Sequence, residues 1–197
     1  MSKYFYAVAT LPYITYESDS FMSPEEFLEF CSYQLRQDRF LAIARLSLQP
    51  PSASSVRSCG SDAVDRFFRF ERGMRNALVR HRAAKSGRDA SAFISPDLQG
   101  NDLSDDVAAS ELARTAFAAG ASSPLQAEEI LDRGRWEILD QVEVTHHFDF
   151  DNLALYYLRL LILTRKAGRT RELGAAGYDA EYAKMTQSMG NPGSSGA

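Results

Sequence analysis

SPLQAEEILDRGRWEILDQVEVTHHFDFDNLALYYLRLLILTRKAGR, residues Ser123 to Arg169, decides how the chain reads. Ser123 is a favourable N-cap, Pro124 stands where a first helical turn has no use for an N–H, and Gln126 completes a Ser-x-x-Gln box, so a helix starts here. Ile130, Leu131, Gly134, Ile138 and Val142 then share one face at the helical period, while Glu128, Asp132, Arg135 and Glu143 point largely elsewhere. The pattern breaks at Thr145-His146-His147-Phe148, where Asp149 or Asp151 can cap a second helix running from Asn152 to Leu163. That helix is apolar nearly all round, which predicts the buried centre of the fold.

Working outward, the chain is 197 residues with a net charge of −4 and two cysteines, Cys31 and Cys59. Such a chain buries a core without staples, and the absence of a Cys-x-x-Cys or Cys/His cluster fits a reducing cytosol and argues against structural zinc. The longest apolar run, Leu153 to Leu163, carries Arg159 and falls far short of the roughly 20 residues a membrane span requires. Tyr4 to Leu11 is apolar but too short and too weakly basic at its front for a signal peptide, so it reads as core, as either a strand or a short buried helix. Pro12 ends it.

Upstream of the central pair, Ser23-Pro24-Glu25-Glu26 combines an N-cap, a first-turn proline and a Ser-x-x-Glu box. Phe27, Leu28, Phe30, Cys31 and Leu35 continue the stripe, Gln37-Asp38 marks a break or recap, and Pro50-Pro51 terminates the segment. Residues 50–60 read as an exposed loop. A helix is expected from about Asp62 to Ser86 with Gly87 as its C-cap. Residues 89–103 read as a loop or poorly packed connection, and Asp105 to Ala119 as an Ala-rich helix ending at Gly120. Tyr178 to Met189 reads as a last helix and residues 190–197 as a disordered tail, giving one helical domain over 1–189.

The helix at 62–86 is polarised. Val64, Phe67, Met74, Leu78 and His81 gather on one side, and Arg66, Arg69, Arg72, Asn76 and Arg80 on the other. Residues 62–88 hold eight Arg/Lys against three Asp/Glu in an otherwise acidic protein. This face has three readings: a solvated surface paired with Asp65 and Glu71, a dock for an acidic protein, or a holder of phosphates. Nucleic acid ranks last, because neither a broad basic field nor a recognised motif is present.

Catalytic signatures are missing from the sequence. There is no Gly-x-Ser-x-Gly elbow, P-loop or dinucleotide-binding turn. His146-His147 with Asp149 and Asp151 matches no zinc spacing and reads as a capping corner. His81 reads as a half-buried core imidazole, Glu128-Glu129 and Asp105-Asp106 as helix-start acids, and Trp136 as a core anchor in preference to an interface residue. No catalytic, cofactor-binding or metal-ligating residue is assigned. The residues expected to meet a partner are Arg66, Arg69, Arg72, Asn76 and Arg80.

Four stretches, taken in order, carry a resemblance. Tyr4-Phe5-Tyr6-Ala7-Val8-Ala9-Thr10-Leu11-Pro12 resembles the Tyr-Tyr-x-Leu-Val-Ala-x-Leu-Pro opening of the C-subunit-like proteins of unknown function encoded in bacterial V-type ATPase operons. Phe70 to Leu78, followed by Arg82-Ala83-Ala84-Lys85, resembles that family's Arg-Asn and Arg-Ala-x-Lys helix. Ile130 to Asp140 resembles its Arg/Lys-Trp helix, and Phe148 to Arg165 its Phe-rich corner and the Leu-rich, Arg-terminated helix after it. The resemblance implies an all-α helical bundle like a shortened C-type (d-type) stalk component of the V/A-type ATPase, with residues 50–61 and 89–122 abbreviated. It implies a non-enzymatic connector without cofactor, joining the central shaft of a V-type ATPase to its proteolipid ring. Such a protein would be cytoplasmic and reach the inner membrane only through partners. The alternatives are an assembly or regulatory factor that binds the ATPase transiently, or a helical phosphate or nucleic-acid binder.

Overall fold

In the computed structural model, which describes residues 4–51, 60–97 and 100–169, the described residues form seven α-helices and one 3-10 turn, with no strand. The helices are α1 (Phe5–Ala9), α2 (Pro24–Gln34), α3 (Gln37–Ala44), α4 (Asp62–Ser86), α5 (Val107–Gly120), α6 (Pro124–Glu143) and α7 (Phe150–Ala167), with the 3-10 turn at Ser91–Phe93. The all-α reading of the sequence therefore holds. The expected helix at Tyr178–Met189 and the tail at 190–197 lie outside the described residues, as does most of the 50–60 loop.

Local chemistry sets the boundaries. The Ser23 hydroxyl accepts from the Glu26 amide at 3.1 Å while the Glu26 carboxylate accepts from the Ser23 amide at 2.8 Å, closing the box that starts α2. Ser123 accepts from the Gln126 amide at 3.2 Å, but the Gln126 side chain gives no return bond, so only half of the second box forms. Asp106 caps α5 and Asp149, rather than Asp151, caps α7. Gly87 closes α4 in the left-handed conformation at φ 65°, which a residue without a Cβ adopts freely. The ambiguous opening resolves as a helix of only five residues, in which Ala7 alone is buried.

Two apolar clusters build the interior. The larger gathers Phe27, Ile43, Val64, Phe67, Trp136, Leu139 and Val142 around α7, from which Leu153, Leu155, Leu158, Leu160 and Ile162 are all fully buried. This is the hydrophobic rod the sequence predicts near Leu158; each such leucine contributes about 1.5–3 kcal/mol of transfer free energy. The smaller cluster packs Phe70, Met74, Ala77 and Leu78 of α4 against Ala109, Ala113 and Ala116 of α5 and Leu131 of α6. Small residues let those helices approach closely: a Cβ placed on Gly73 would lie 3.3 Å from Ala109 Cβ and 3.5 Å from the Leu103 carbonyl oxygen. Both α4 and α6 therefore run through the two clusters and tie them together.

The described residues between 89 and 102 carry only the 3-10 turn and lie largely exposed, as expected of a loop, but Leu103 at its end is buried. Leu103 is 1% exposed and takes φ 56°, a left-handed backbone that costs a leucine about 1–2 kcal/mol. Its burial beside Gly73 offsets that strain.

Candidate functional site

The basic face of α4 is the first place to look, and the structure divides it. Arg72 is 6% exposed and Asn76 1% exposed. Both are committed inward. Arg72 donates from Nη1 to Ser95 Oγ at 2.9 Å and the Pro96 carbonyl at 3.1 Å, and from Nη2 to the Pro51 carbonyl at 2.7 Å. Asn76 donates to the Ser95 and Asp102 carbonyls, each at 2.9 Å, and accepts from the Ser95 amide at 2.9 Å. These two side chains pin Ser95, Pro96 and Asp102 against α4, because backbone laid over a helix must satisfy its polar groups there.

The remaining candidates stay near the surface, two of them beside acidic partners. Arg80 pairs with Asp102 at 2.8 Å, and Arg69 lies 4.0 Å from Asp97. Arg66 is exposed near the start of α4, whereas Arg82, Lys85 and Arg88 are exposed at its end, roughly 24 Å away at helical rise. Cations in a last turn are already favoured by the helix dipole. The five residues singled out from the sequence thus form no continuous open surface. The structure brings Arg72 and Asn76 together as interior staples and leaves Arg66, Arg69 and Arg80 outside.

What periodicity missed is a layer of charge inside the bundle. Glu71 and Asp132 are 0% exposed and Arg135 is 4% exposed, although Asp132 and Arg135 read from the sequence as pointing away from the core. The Arg135 guanidinium grips both Glu71 oxygens, with Nε–Oε2 at 2.8 Å and Nη2–Oε1 at 3.0 Å, and its Nη1 reaches Asp132 Oδ1 at 2.9 Å. Arg75 adds a bond to Glu71 at 2.7 Å. Arg165 of α7 and Arg169 also bond to Asp132, the latter at 2.6 Å, and Arg169 continues to Glu128 at 3.1 Å. Burial, then the nearby Arg169, lowers the Arg165 guanidinium from its usual range. Among the described residues, four guanidiniums face three carboxylates where α4, α6 and α7 meet. The only sequence signal was that charged positions 71, 132 and 135 recur on helices flanked by apolar residues.

A second ion-pair group lies near the α6–α7 corner. Arg159 of α7, 5% exposed, donates from Nη2 to Asp140 at 2.7 Å and to Glu143 at 2.6 Å, and its guanidinium carbon sits 5.5 Å from the centre of the Trp136 ring. Glu143 also accepts from Asn152 at 2.7 Å. Trp136 is a core residue, set edge-on to Tyr16 at 5.8 Å. His146 contacts Asp149 at 3.0 Å and Asp151 at 3.4 Å, which makes it, though not the exposed His147, part of the α7 cap. His81 stacks on Phe117 with ring centroids 5.4 Å apart. Among the described residues no group of three or more His, Cys, Asp or Glu is placed to hold a metal ion, and no helix is long and apolar enough to cross a membrane.

Residues 53–178, more than half of the chain, match the model of the family described as Protein of unknown function (DUF2764). No curated protein and no solved structure matches.

Proposed function

We propose that this chain, which belongs to the DUF2764 family, is a non-enzymatic connector in the rotor of a bacterial V-type ATPase. It would link the central shaft to the proteolipid ring and meet the membrane through those partners. The observation that supports the reading is where the four resembling stretches fall. Arg75, Asn76, Arg135, Asp140 and Arg165 all belong to those stretches, and each makes a bond to a different element or segment of the fold. The first stretch joins them, since the Pro12 carbonyl accepts from the Tyr156 hydroxyl at 3.0 Å. The bonds these residues make hold α4, α6 and α7 in one register. A torque-bearing link needs that kind of interior, because close-packed cores have low compressibility and directional bonds resist sliding.

The test is stoichiometry. A V-type ATPase purified from the native cells through a tag on a different component should contain this chain as a single copy per complex that hydrolyses ATP. A fully coupled complex from which the chain is missing would overturn the proposal, and a variable, salt-removable amount would point to the transient assembly factor instead.

A further inference from the structure

A cleft of about 530 Å³ opens between the irregular strap at Leu11–Thr15 and the paired helices α6 and α7. Trp136, Tyr156 and Arg159 line it, with Asp140 and Glu143 on one side and Tyr13 on the other. The strap is held in place from below: the Pro12 carbonyl by Tyr156, and the Tyr16 carbonyl by Lys166 Nζ at 2.7 Å. Its Tyr13 nevertheless projects outward at 91% exposure.

The charge lining the cleft selects its occupant. Among the described residues Arg159 is the one cation in the lining, and it meets two carboxylates, so the cleft carries an excess of one negative charge. The Asp140 side chain is 54% exposed and that of Glu143 33% exposed, so both keep water-accessible surface while each gives one oxygen to Arg159. Glu137, one turn earlier on α6, is also exposed and adds to the negative field. Arg159 itself is underused. Both of its ion pairs go through Nη2, and its buried Nε has no hydrogen-bond partner among the described residues. An anion entering here would face two carboxylates; a cation would face them too, with aromatic walls for its aliphatic stem.

We propose that this cleft docks a segment of a partner protein presenting a lysine or arginine between apolar residues. The incoming cation meets Asp140 and Glu143, its stem lies along Trp136 and Tyr156, and Tyr13 closes over the flanking apolar side chain. Near the same end of the molecule α1 and the α6–α7 corner leave Phe5, Tyr6, Val144 and Phe148 exposed, with the Phe5 and Phe148 rings 4.7 Å apart, which provides apolar surface for the rest of such a segment. This docking site does not depend on the ATPase reading; it is a different surface from the α4 cations and attracts the opposite charge.

Trp136 is the single tryptophan of the chain and lines the cleft, so its fluorescence reports occupancy directly. The full chain is titrated with acetyl-Leu-Arg-Leu-amide and acetyl-Leu-Lys-Leu-amide, and in parallel with acetyl-Leu-Glu-Leu-amide, inorganic phosphate and phosphatidylglycerol vesicles. The basic peptides should give a saturable change that weakens with added salt, and the three acidic probes should not. Asp140→Asn, which keeps an oxygen for Arg159, should weaken the basic peptides about five-fold, as expected for a partly exposed ion pair. Tyr13→Ser alters an exposed side chain and should weaken them as well, with the circular dichroism unchanged. Phosphate or vesicles binding as well as the basic peptides would overturn the proposal, as would no saturable signal from either basic peptide at millimolar concentration. The comparison of probes on the unaltered chain stands whether or not a variant folds.

Discussion

Arg135 of α6 and Glu71 of α4 form a two-pronged ion pair in which neither side chain is more than 4% exposed. Removing one member leaves the other charged and buried, which costs far more than the pair contributes in net terms. Arg135→Met should therefore destabilise the chain by about 3–5 kcal/mol. The double variant Glu71→Gln/Arg135→Met should be more stable than the sum of the single changes predicts, because it removes both charges together. Urea unfolding of the four proteins measures this coupling, and additive losses would contradict it.

Leu158 lies fully buried in the middle of α7 as part of the larger apolar cluster. Leu158→Ala should cost about 2–5 kcal/mol, the upper end applying if the surrounding helices cannot close the cavity. A thermal or urea midpoint close to that of the unaltered chain would mean that α7 is not the packed centre.

Arg72 and Asn76 should act on the backbone at Ser95, Pro96 and Asp102 more than on the bundle as a whole. Arg72→Lys cannot reproduce three bonds in a fixed planar fork, so it should behave much like Arg72→Ala. In both, amide hydrogen exchange should speed up at Ser95, whose N–H is held by Asn76, while the central amides of α7 change little. Exchange rising evenly over the whole chain would show that the staple supports the fold globally.

Gly73 faces Ala109 and the Leu103 backbone, both of which have little freedom to retreat. Gly73→Val should destabilise by about 1–3 kcal/mol through overpacking, overriding any gain in helix propensity. A stabilised variant would show that α4 and α5 separate easily.

Burial raises the Tyr156 hydroxyl from its ordinary 10.0 to about 12. Between those values the unfolded chain has lost a proton that the folded chain still holds, so stability is intact below pH 10 and declines as the pH climbs toward 12. Burial likewise raises the Cys31 thiol from 9.0 to about 12, so the decline begins about one unit lower. Tyr156→Phe should lose about 1 kcal/mol at neutral pH, from its bond to Pro12, and then fall less steeply through the alkaline range. Urea midpoints measured against pH test this; an unchanged alkaline slope would contradict it.

Helix identity was legible wherever a cap or a breaker announced it. Ser23, Ser123, Gly87 and the turn at Asp149 fixed boundaries from local hydrogen bonding alone, and the unbroken apolar run of α7 located the centre. Polar residues inside the bundle were not legible, because amphipathic periodicity assigns every charged position to water. Asp132 and Arg135 escaped for that reason: Arg135 is matched by Glu71, far away in sequence, and Asp132 by Arg165 and Arg169, which lie more than thirty positions later, as well as by Arg135 itself. Arg72 and Asn76 were visible as a polar stripe, but nothing in their spacing revealed that Ser95, Pro96 and Asp102 come back to meet them. The cleft was hidden too, since it forms between Tyr13 and helices more than a hundred positions later.

The ionic seam between α4, α6 and α7 has a mechanical consequence. Greasy surfaces forgive slippage, because one leucine neighbour serves nearly as well as the next; a guanidinium clasping two carboxylate oxygens has a single seat. Displacing α6 lengthwise past α4 by a fraction of a turn would unseat that clasp before the surrounding side chains lost touch. The molecule is keyed like a shaft in a slot, and its resistance is greatest in the direction in which plain hydrophobic packing is weakest.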